Sequence, residues 1–390
     1  MILTIQPMKK LIFVTTVAQS MGFFKGQLKY LSDDYDITFI SSSEKHPHEV
    51  EENAERMGVK GHELRMAREI SPVQDVRSLF AFLRYFRRVK PDAVHGNTPK
   101  GALLSMLAAR MTGVKTRIYM CHGLRYQGCV GLKRKVLVAM EKLTCRCATQ
   151  VLCVSEGVRD TFEQDGICPK SRSRVIGAGS CNGIDITRFE PARYTETEWL
   201  ALRAKYGIAP DEFLFIFMGR VVRDKGVNEM IHAFSRYHEE NPKVRLLMLG
   251  AFEDSLNPVE EDVAQTVRGN QHGVVYCGVQ QDVRPFLAAS QCLLLPSYRE
   301  GFGLVLMEAG CMGLPVISSD IIGCNNVVTP DNGLLVAPRD AEALYGALRR
   351  MVEDETLYHH FATSTRSSII ERFEQKALWK KFLDFYHQII

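Results

Sequence analysis

The sequence predicts an α/β protein made of two doubly wound, Rossmann-like domains that face each other across a cleft. Short apolar segments of β-forming residues alternate with helix-like segments along the 390 residues, a pattern typical of βαβ units and parallel sheets. The alternation occurs twice, and the length suits two or three domains. No apolar run approaches the ~18 residues that a membrane span needs.

The first half contains six predicted strands separated by helices. The helix at 73–89 is predicted to be amphipathic because apolar residues recur at helical spacing before Pro91 ends it. These residues are Val76, Leu79, Phe80, Leu83 and Phe86. The predicted strands are 11–17, 37–41, 93–95, 117–121, 150–154 and 174–176, and the predicted helices are 22–31, 73–89 and 101–111.

The second half repeats this plan after a turn-rich stretch at 182–210. Asn182-Gly183, Pro191 and Pro210 are turn signals there, so the domains are predicted to be 1–188 and 189–373. The predicted strands are 213–218, 245–249, 274–277, 292–295, 315–318 and 334–336, with helices at 227–239 and from 341 onward. Ligands are expected where the strands of such sheets end.

The charge of the chain is unevenly distributed between its two halves. Residues 1–190 carry 29 Lys and Arg against 19 Asp and Glu, whereas 191–390 carry 20 against 26. The basic half suits a phosphate, an anionic membrane or a nucleic acid, and a solvated basic surface explains it equally well.

The eleven cysteines form no C-x-x-C pair, which argues against structural zinc and a disulfide scaffold and suits a reducing cytoplasm.

Two segments of the second half carry candidate chemistry. Gly219-Arg220 ends a predicted strand and Lys225-Gly226 precedes the next helix. Two cations and a helix N-terminus at one strand end suit a diphosphate.

The second segment, 297–308, also follows a strand and opens a helix. Gly301 and Gly303 allow a ligand close to the backbone, and free N–H groups at the helix start suit phosphate. Glu300 and Glu308 offer carboxylates for vicinal hydroxyls. Glu308 stands among apolar residues, where a charge needs a partner.

The spacing of Glu300 and Glu308, together with Gly219-Arg220 and Lys225-Gly226, resembles the retaining glycosyltransferases of family four, which have the GT-B fold. The resemblance covers nearly the whole chain. In the first half, the segments 23–28, 94–100 and 121–125 resemble those of the bacterial enzymes that build capsular polysaccharide and O-antigen. The segment 182–185 resembles the stretch that precedes the second domain in this family.

The resemblance implies a role for each candidate residue of the second half. Arg220 and Lys225 would neutralise the donor pyrophosphate, Glu308 would hold the ribose hydroxyls, and Glu300 would contact the transferred sugar. The remaining implied donor contacts are the backbone at Gly219, the amides of Gly301, Phe302, Gly303 and Leu304, and a base contact near Gly278 and Val279.

The resemblance also implies that two residues of the first half contact the donor. His122, at a strand end, would touch the donor sugar near the reacting carbon, although a histidine satisfied within the fold is the alternative. Gly22 corresponds to a loop that faces the donor phosphates. Many family members have two adjacent glycines there, whereas Phe23 follows Gly22 here.

The implied reaction transfers a sugar with retention from a nucleotide-diphosphate sugar, with UDP favoured, to a glycan acceptor linked to polyprenyl diphosphate. The domain 1–188 would bind the acceptor, with a C-terminal helix at about 374–390 packing back on it, and 189–373 the donor. No cofactor or obligatory metal is expected, since no Asp-x-Asp follows a predicted strand. A cytoplasmic enzyme is expected, with Lys133-Arg134-Lys135 lying against anionic lipid at the inner face of the membrane.

Two alternative functions remain open, and two other kinds of ligand are rejected. A non-hydrolysing nucleotide-sugar epimerase would share the architecture, and an inactive nucleotide-sugar-binding partner subunit would share the motifs. Gly177 to Gly183 imitates a dinucleotide fingerprint, but its third glycine is one position late and no helix is predicted behind it, so NAD is not expected. No nucleic-acid partner is expected either, because no binding motif is present.

Overall fold

The computed structural model describes residues 7–255 and 257–390. The first six residues of the predicted first domain lie outside this part. The chain divides into two compact units. Unit 1 runs to Gly183 and also contains Gln375–Ile390, whereas unit 2 is Ile184–Glu374.

Unit 1 is built on a sheet of seven parallel strands in the order β3-β2-β1-β4-β5-β6-β7. The central strands are apolar and buried on both faces, as expected when helices cover a parallel sheet. The strands are β1 Lys9–Val14, β2 Tyr35–Ser41, β3 Lys60–Glu63, β4 Ala93–Asn97, β5 Thr116–Cys121, β6 Gln150–Cys153 and β7 Ser173–Arg174.

Six helices connect these strands. They are α1 Gln27–Leu31, α2 Glu49–Arg56, α3 Pro72–Val89, α4 Pro99–Met111, α5 Gly131–Cys147 and α6 Glu156–Gln164. Helix α3 begins with Pro72 in its first turn and ends at Lys90, which has a left-handed backbone. Its buried face contains Leu83 and Phe86, but Val76 and Phe80 of the predicted apolar face are 53% and 66% exposed. Only one side of α3 is therefore covered.

Unit 2 repeats the plan with six parallel strands in the order β10-β9-β8-β11-β12-β13. The strands are β8 Phe213–Met218, β9 Val244–Leu249, β10 Val274–Gly278, β11 Cys292–Leu295, β12 Val316–Ser319 and β13 Gly333–Val336. The helices are α7 Glu196–Lys205, α8 Val227–Glu240, α9 Glu261–Arg268, α10 Arg284–Ala288, α11 Leu304–Cys311, α12 Ala341–Glu353 and α13 Glu355–Phe373.

The last helix, α14 Gln375–Ile389, belongs to unit 1. The Tyr386 hydroxyl lies 2.9 Å from Nδ1 of His95 on β4. The Trp379 indole donates to Oδ1 of Asn182 at 2.7 Å. Both contacts fix α14 to the body of unit 1.

The strand orders confirm the predicted fold class, since each unit has a doubly wound parallel sheet covered by helices. Among the described residues, no helix is both long and apolar enough to cross a bilayer. After the glycines at 177–183, the first α-helix is α7. The phosphate-binding helix of a dinucleotide fingerprint is therefore missing there, within the part of the chain that the structure describes.

Candidate functional site

Two loops of unit 2 meet at the carboxyl ends of the neighbouring strands β8 and β11. The Lys225 ammonium donates to Oε1 of Glu300 at 2.5 Å, and the Ser297 hydroxyl donates to the same oxygen at 2.8 Å. The side chains of Lys225 and Glu300 are 21% and 15% exposed. The structure thus brings together two residues that are 75 positions apart in the chain.

Further contacts fix these two loops to each other. The Arg299 guanidinium donates to the Asp224 carboxylate at 2.7 Å, and the Tyr298 backbone N–H donates to the Asp224 carbonyl at 2.9 Å. Gly226 has a φ of +69°, and a Cβ there would lie 2.0 Å from the Pro296 carbonyl oxygen. Gly226 is therefore required for the close approach of the loops, and the Lys225–Glu300 contact is held on rigid backbone.

Three glycines, Gly219, Gly250 and Gly278, lie at the carboxyl ends of the neighbouring strands β8, β9 and β10. The Gly219 N–H donates to the Leu249 carbonyl and the Gly250 N–H to the Gly278 carbonyl, each at 2.9 Å. A Cβ on Gly250 would lie 1.7 Å from the Gly219 carbonyl oxygen. Gly250 was not predicted, although its position directly after an apolar strand was a usable signal. Val279 follows Gly278 and is 71% exposed.

Among the described residues, Arg220 makes no side-chain hydrogen bond to Lys225 or Glu300. Its guanidinium pairs with the carboxylate of Glu253, and its side chain is 63% exposed. Glu253 was not predicted, because it lies in a loop without a motif. An exposed arginine held by one carboxylate remains accessible to an anionic ligand.

The segment 301–304 offers fewer free amides than expected. The Gly303 N–H donates to the Gly323 carbonyl at 3.1 Å, and the Leu304 N–H to the Phe302 carbonyl at 2.8 Å. The Phe302 ring packs edge-on against Phe373 at 5.6 Å. Within the described residues, the N–H groups of Gly301 and Phe302 make no hydrogen bond, so these two amides are the ones available to a ligand.

Glu308 has a different environment from Glu300. It lies in α11 and is partly buried. Burial raises the pKa of its carboxyl to about 7, and the charge of Arg188 opposes this rise. The positive charge of Arg188 thus partly offsets the cost of burying this carboxyl, and the sequence gave no signal for it.

In unit 1, His122 directly follows β5. Its Nε2 lies 2.8 Å from Oδ1 of Asn97, which ends β4. The Phe23 ring stacks on the imidazole at 5.3 Å, and the Phe24 ring meets it edge-on at 6.0 Å. Burial lowers the pKa of His122 to about 4, so the ring is neutral near pH 7.

Gly22 lies in a short 3-10 helix, Ala18–Phe24, after β1. It lines a cavity of about 310 Å³ together with Lys45, His46 and Arg56. No atom lies within 4 Å of the place a Cβ would take at Gly22. This open position leaves room for a ligand beside the loop.

One cluster of possible metal ligands occurs among the described residues of unit 2. His232 Nε2 lies 3.3 Å from Asp262 Oδ2 and 3.9 Å from Glu260 Oε2, and all three residues are exposed. The cluster is at the surface of α8 and the start of α9, and it shares no residue with the loops described above.

The two halves of the chain match two family models. Residues 29–179 match the glycosyl transferase 4-like domain, and residues 200–368 match glycosyl transferases group 1. The chain belongs to the family-four glycosyltransferases. The family that the glutamate spacing and the upstream cations indicated is therefore confirmed, and so is its GT-B fold.

Individual relatives of this glycosyltransferase extend over most of its length. It is 28% identical over 385 residues to the capsular polysaccharide biosynthesis glycosyltransferase CapM of Staphylococcus aureus, covering 98% of both chains. It is 26% identical over 333 residues to an Escherichia coli UDP-Gal:alpha-D-GlcNAc-diphosphoundecaprenol alpha-1,3-galactosyltransferase, covering 83% of this chain and 82% of that one.

Solved structures show the same fold. The Anabaena protein HepE in complex with UDP superposes with a TM-score of 0.78 at 19% identity, covering 98% of this chain and 100% of that one. WaaG, a glycosyltransferase involved in lipopolysaccharide biosynthesis, has a TM-score of 0.69 at 17% identity and covers 96% of this chain and 99% of that one.

Proposed function

We propose that this glycosyltransferase moves a sugar from a nucleotide-diphosphate donor, with UDP favoured, to a glycan linked to polyprenyl diphosphate, in the synthesis of a bacterial surface polysaccharide. The contact between Lys225 and Glu300 carries the proposal, because it places a cation and a carboxylate on rigid loops at adjacent strand ends. The names of relatives support the acceptor: one acts on a diphosphoundecaprenol-linked sugar, and another is a capsule enzyme.

The proposed chemistry follows from the charge of the leaving group. A departing nucleoside diphosphate develops negative charge, and fixed cations aimed at it lower the barrier because they need no reorganisation. Lys225 and the accessible Arg220 supply these cations, and Glu300 orients the sugar hydroxyls. The leaving phosphate accepts the proton of the acceptor hydroxyl on the same face of the sugar. Retention then needs neither a protein nucleophile nor a metal ion.

The proposal also assigns a different substrate to each unit. Unit 2 binds the donor through the loops after β8 and β11, with Glu308 on the ribose and the backbone near Gly278 and Val279 on the base. Unit 1 binds the glycan acceptor, and Gly22 and His122 contribute contacts to the donor phosphates and sugar.

Thermal unfolding in the presence of nucleotides tests the donor site. UDP, GDP, ADP, CMP and NAD are compared at one millimolar concentration, where a ligand at 100 times its Kd stabilises the folded state by about 2.7 kcal/mol. We expect UDP to raise the melting temperature and Lys225→Ala to abolish the rise. Lys243→Ala is the control, because Lys243 is an exposed lysine of unit 2 that pairs with Asp211 just before β9, away from these loops, and should keep the UDP effect.

The outcomes separate the remaining alternatives. A shift with NAD alone would contradict the proposed reaction. UDP binding without transfer to any lipid-linked glycan would favour the inactive partner subunit. Interconversion of free nucleotide sugars without an acceptor would favour the epimerase.

A surface of unit 1 supports contact with an anionic membrane as a further part of the proposal. Val130 and Leu132, at the start of α5, are 87% and 77% exposed, and Lys133, Arg134 and Lys135 follow them. Exposed apolar side chains beside a basic run suit the interface of an anionic bilayer.

Co-sedimentation with lipid vesicles tests this surface. We expect binding to vesicles that contain anionic phospholipid at low salt, weaker binding to purely zwitterionic vesicles, and a loss when Val130→Ser and Leu132→Ser are combined. Leu335→Ser, at an exposed apolar residue of unit 2, is the control. Equal sedimentation with and without anionic lipid would refute the membrane contact.

A further inference from the structure

The hydrogen bonds around Asn97 determine which nitrogen of His122 carries its proton. Asn97 is fully buried. Its side-chain amide lies 3.1 Å from the backbone carbonyl oxygen of His95 and 2.8 Å from Nε2 of His122. A carbonyl oxygen only accepts hydrogen bonds, so the NH₂ group of Asn97 must face His95. The Asn97 oxygen then faces His122, and Nε2 must be the protonated nitrogen.

The second nitrogen of the ring is left as an acceptor. The low pKa of His122, about 4 because of burial, means that the ring holds a single proton near pH 7. With that proton on Nε2, Nδ1 carries a lone pair. Within the described residues, no hydrogen bond reaches Nδ1, and the side chain is partly exposed. Phe23 stacks on the ring and Phe24 meets it edge-on, so the ring plane is fixed as well.

We propose that Asn97 is a positioning residue that locks His122 in the Nε2–H tautomer and thereby presents Nδ1 as a neutral acceptor to a hydroxyl of the donor sugar. The sugar as ligand rests on the proposed function, whereas the tautomer does not. In this arrangement His122 receives a hydrogen bond and delivers no proton.

The groups around His122 do not charge near neutral pH. His95, on β4, is fully buried, its pKa is lowered to about 3 by burial, and it shares a hydrogen bond with Tyr386 of α14. Burial raises the pKa of the Cys121 thiol, on β5, well above its usual value. Phe23 and Phe24, from the 3-10 helix after β1, have no titratable group. A new carboxylate at position 97 would therefore be felt directly by the ring.

Nitrogen-15 NMR of histidine-labelled protein tests the tautomer without any activity. His122→Gln identifies the His122 signals, and the intact chain should show a neutral ring with the proton on Nε2 from pH 5.5 to 8. Asn97→Asp should raise the pKa of His122 by about 1 to 3, as expected for an opposite charge in contact. Asn97→Leu, of similar size, should produce no such rise. A proton on Nδ1 in the intact chain, or an unchanged pKa in Asn97→Asp, would overturn the proposal.

The pH dependence of transfer gives a second, independent readout. Asn97→Leu should lower kcat by about 10- to 100-fold at all pH values, in line with the cost of misplaced reacting groups, with little change in the donor KM. Asn97→Asp should be more active than Asn97→Leu at high pH, where His122 is neutral. It should lose this activity as the pH falls through the raised pKa of His122. Equal kcat in all three proteins would also overturn the proposal. If the intact chain shows the expected tautomer and transfers no sugar, the proposed function fails and the tautomer assignment stands.

Discussion

Replacing Glu308 by glutamine should make the protein more stable at alkaline pH and leave it unchanged at acid pH. Below about pH 4.5 the Glu308 carboxyl is protonated in both the folded and the unfolded chain, so it favours neither. Between pH 4.5 and 7 the unfolded chain releases this proton and the folded chain retains it, because burial raises the folded pKa to about 7. The free energy of unfolding therefore falls as the pH rises through this window.

The size of the effect follows from the two pKa values. The rise from 4.5 to about 7 corresponds to about 3 kcal/mol when each pKa unit is worth about 1.36 kcal/mol. Glutamine has the same shape and cannot ionise, so Glu308→Gln should remove this penalty. The gain should be small at pH 4.5 and reach about 3 kcal/mol at pH 8.

Thermal unfolding of both proteins between pH 4.5 and 8.5 measures this difference. For a unit of this size, about 3 kcal/mol corresponds to a melting temperature raised by about 6 to 12 °C. Glu342→Gln is the control, since Glu342 is an exposed helix glutamate paired with Arg236 and should change stability by less than about 1 kcal/mol at every pH. A pH-independent difference, or a Glu308→Gln protein that is less stable at pH 8, would refute the assignment of a buried, unfavourably charged carboxyl.

Three further outcomes are expected. Gly250→Ala should destabilise the protein by at least about 2 kcal/mol in urea unfolding, because its Cβ would overlap the Gly219 carbonyl, whereas Gly346→Ala, in an open helical position, should be neutral or stabilising. Tyr386→Phe should cost about 1–3 kcal/mol in the same assay, since it leaves a buried nitrogen of His95 without its partner, and an unchanged midpoint would contradict this. Sugar transfer should persist in excess EDTA, and a complete loss that Mg²⁺ restores would show that a metal is required.

The sequence predicted the central strands well because they are buried on both faces. Strands β8 and β11 have the predicted bounds, and each is an unbroken apolar run. The edge strand β3 was missed, since Lys60–Glu63 is polar and its strand form depends on parallel pairing with β2. Its pairing is tertiary information that no local pattern carries.

The candidate site shows the same limit. The positions of Lys225 and Glu300 at strand ends were predictable, but their contact depends on β8 and β11 being neighbours in the sheet. Asn97 lies in the segment 94–100 that carried the resemblance, but no local pattern indicated its contact with His122. The effect of the Arg188 charge on Glu308 gave no signal in the sequence. The exposure of Val76 and Phe80 was missed because helical spacing alone does not say how much of an apolar face another element covers.

The return of α14 to unit 1 separates the order of synthesis from the order of folding. Unit 2 occupies an unbroken stretch of chain, so it is complete on the ribosome while unit 1 still lacks its last helix. Until α14 has been synthesised, His95 lacks its Tyr386 partner, and the apolar surface of unit 1 that α14 covers remains exposed to solvent. The first unit to be translated is thus the last to be finished, and a stop codon anywhere within α14 would damage the amino-terminal half of the molecule while leaving the unit next to the stop intact.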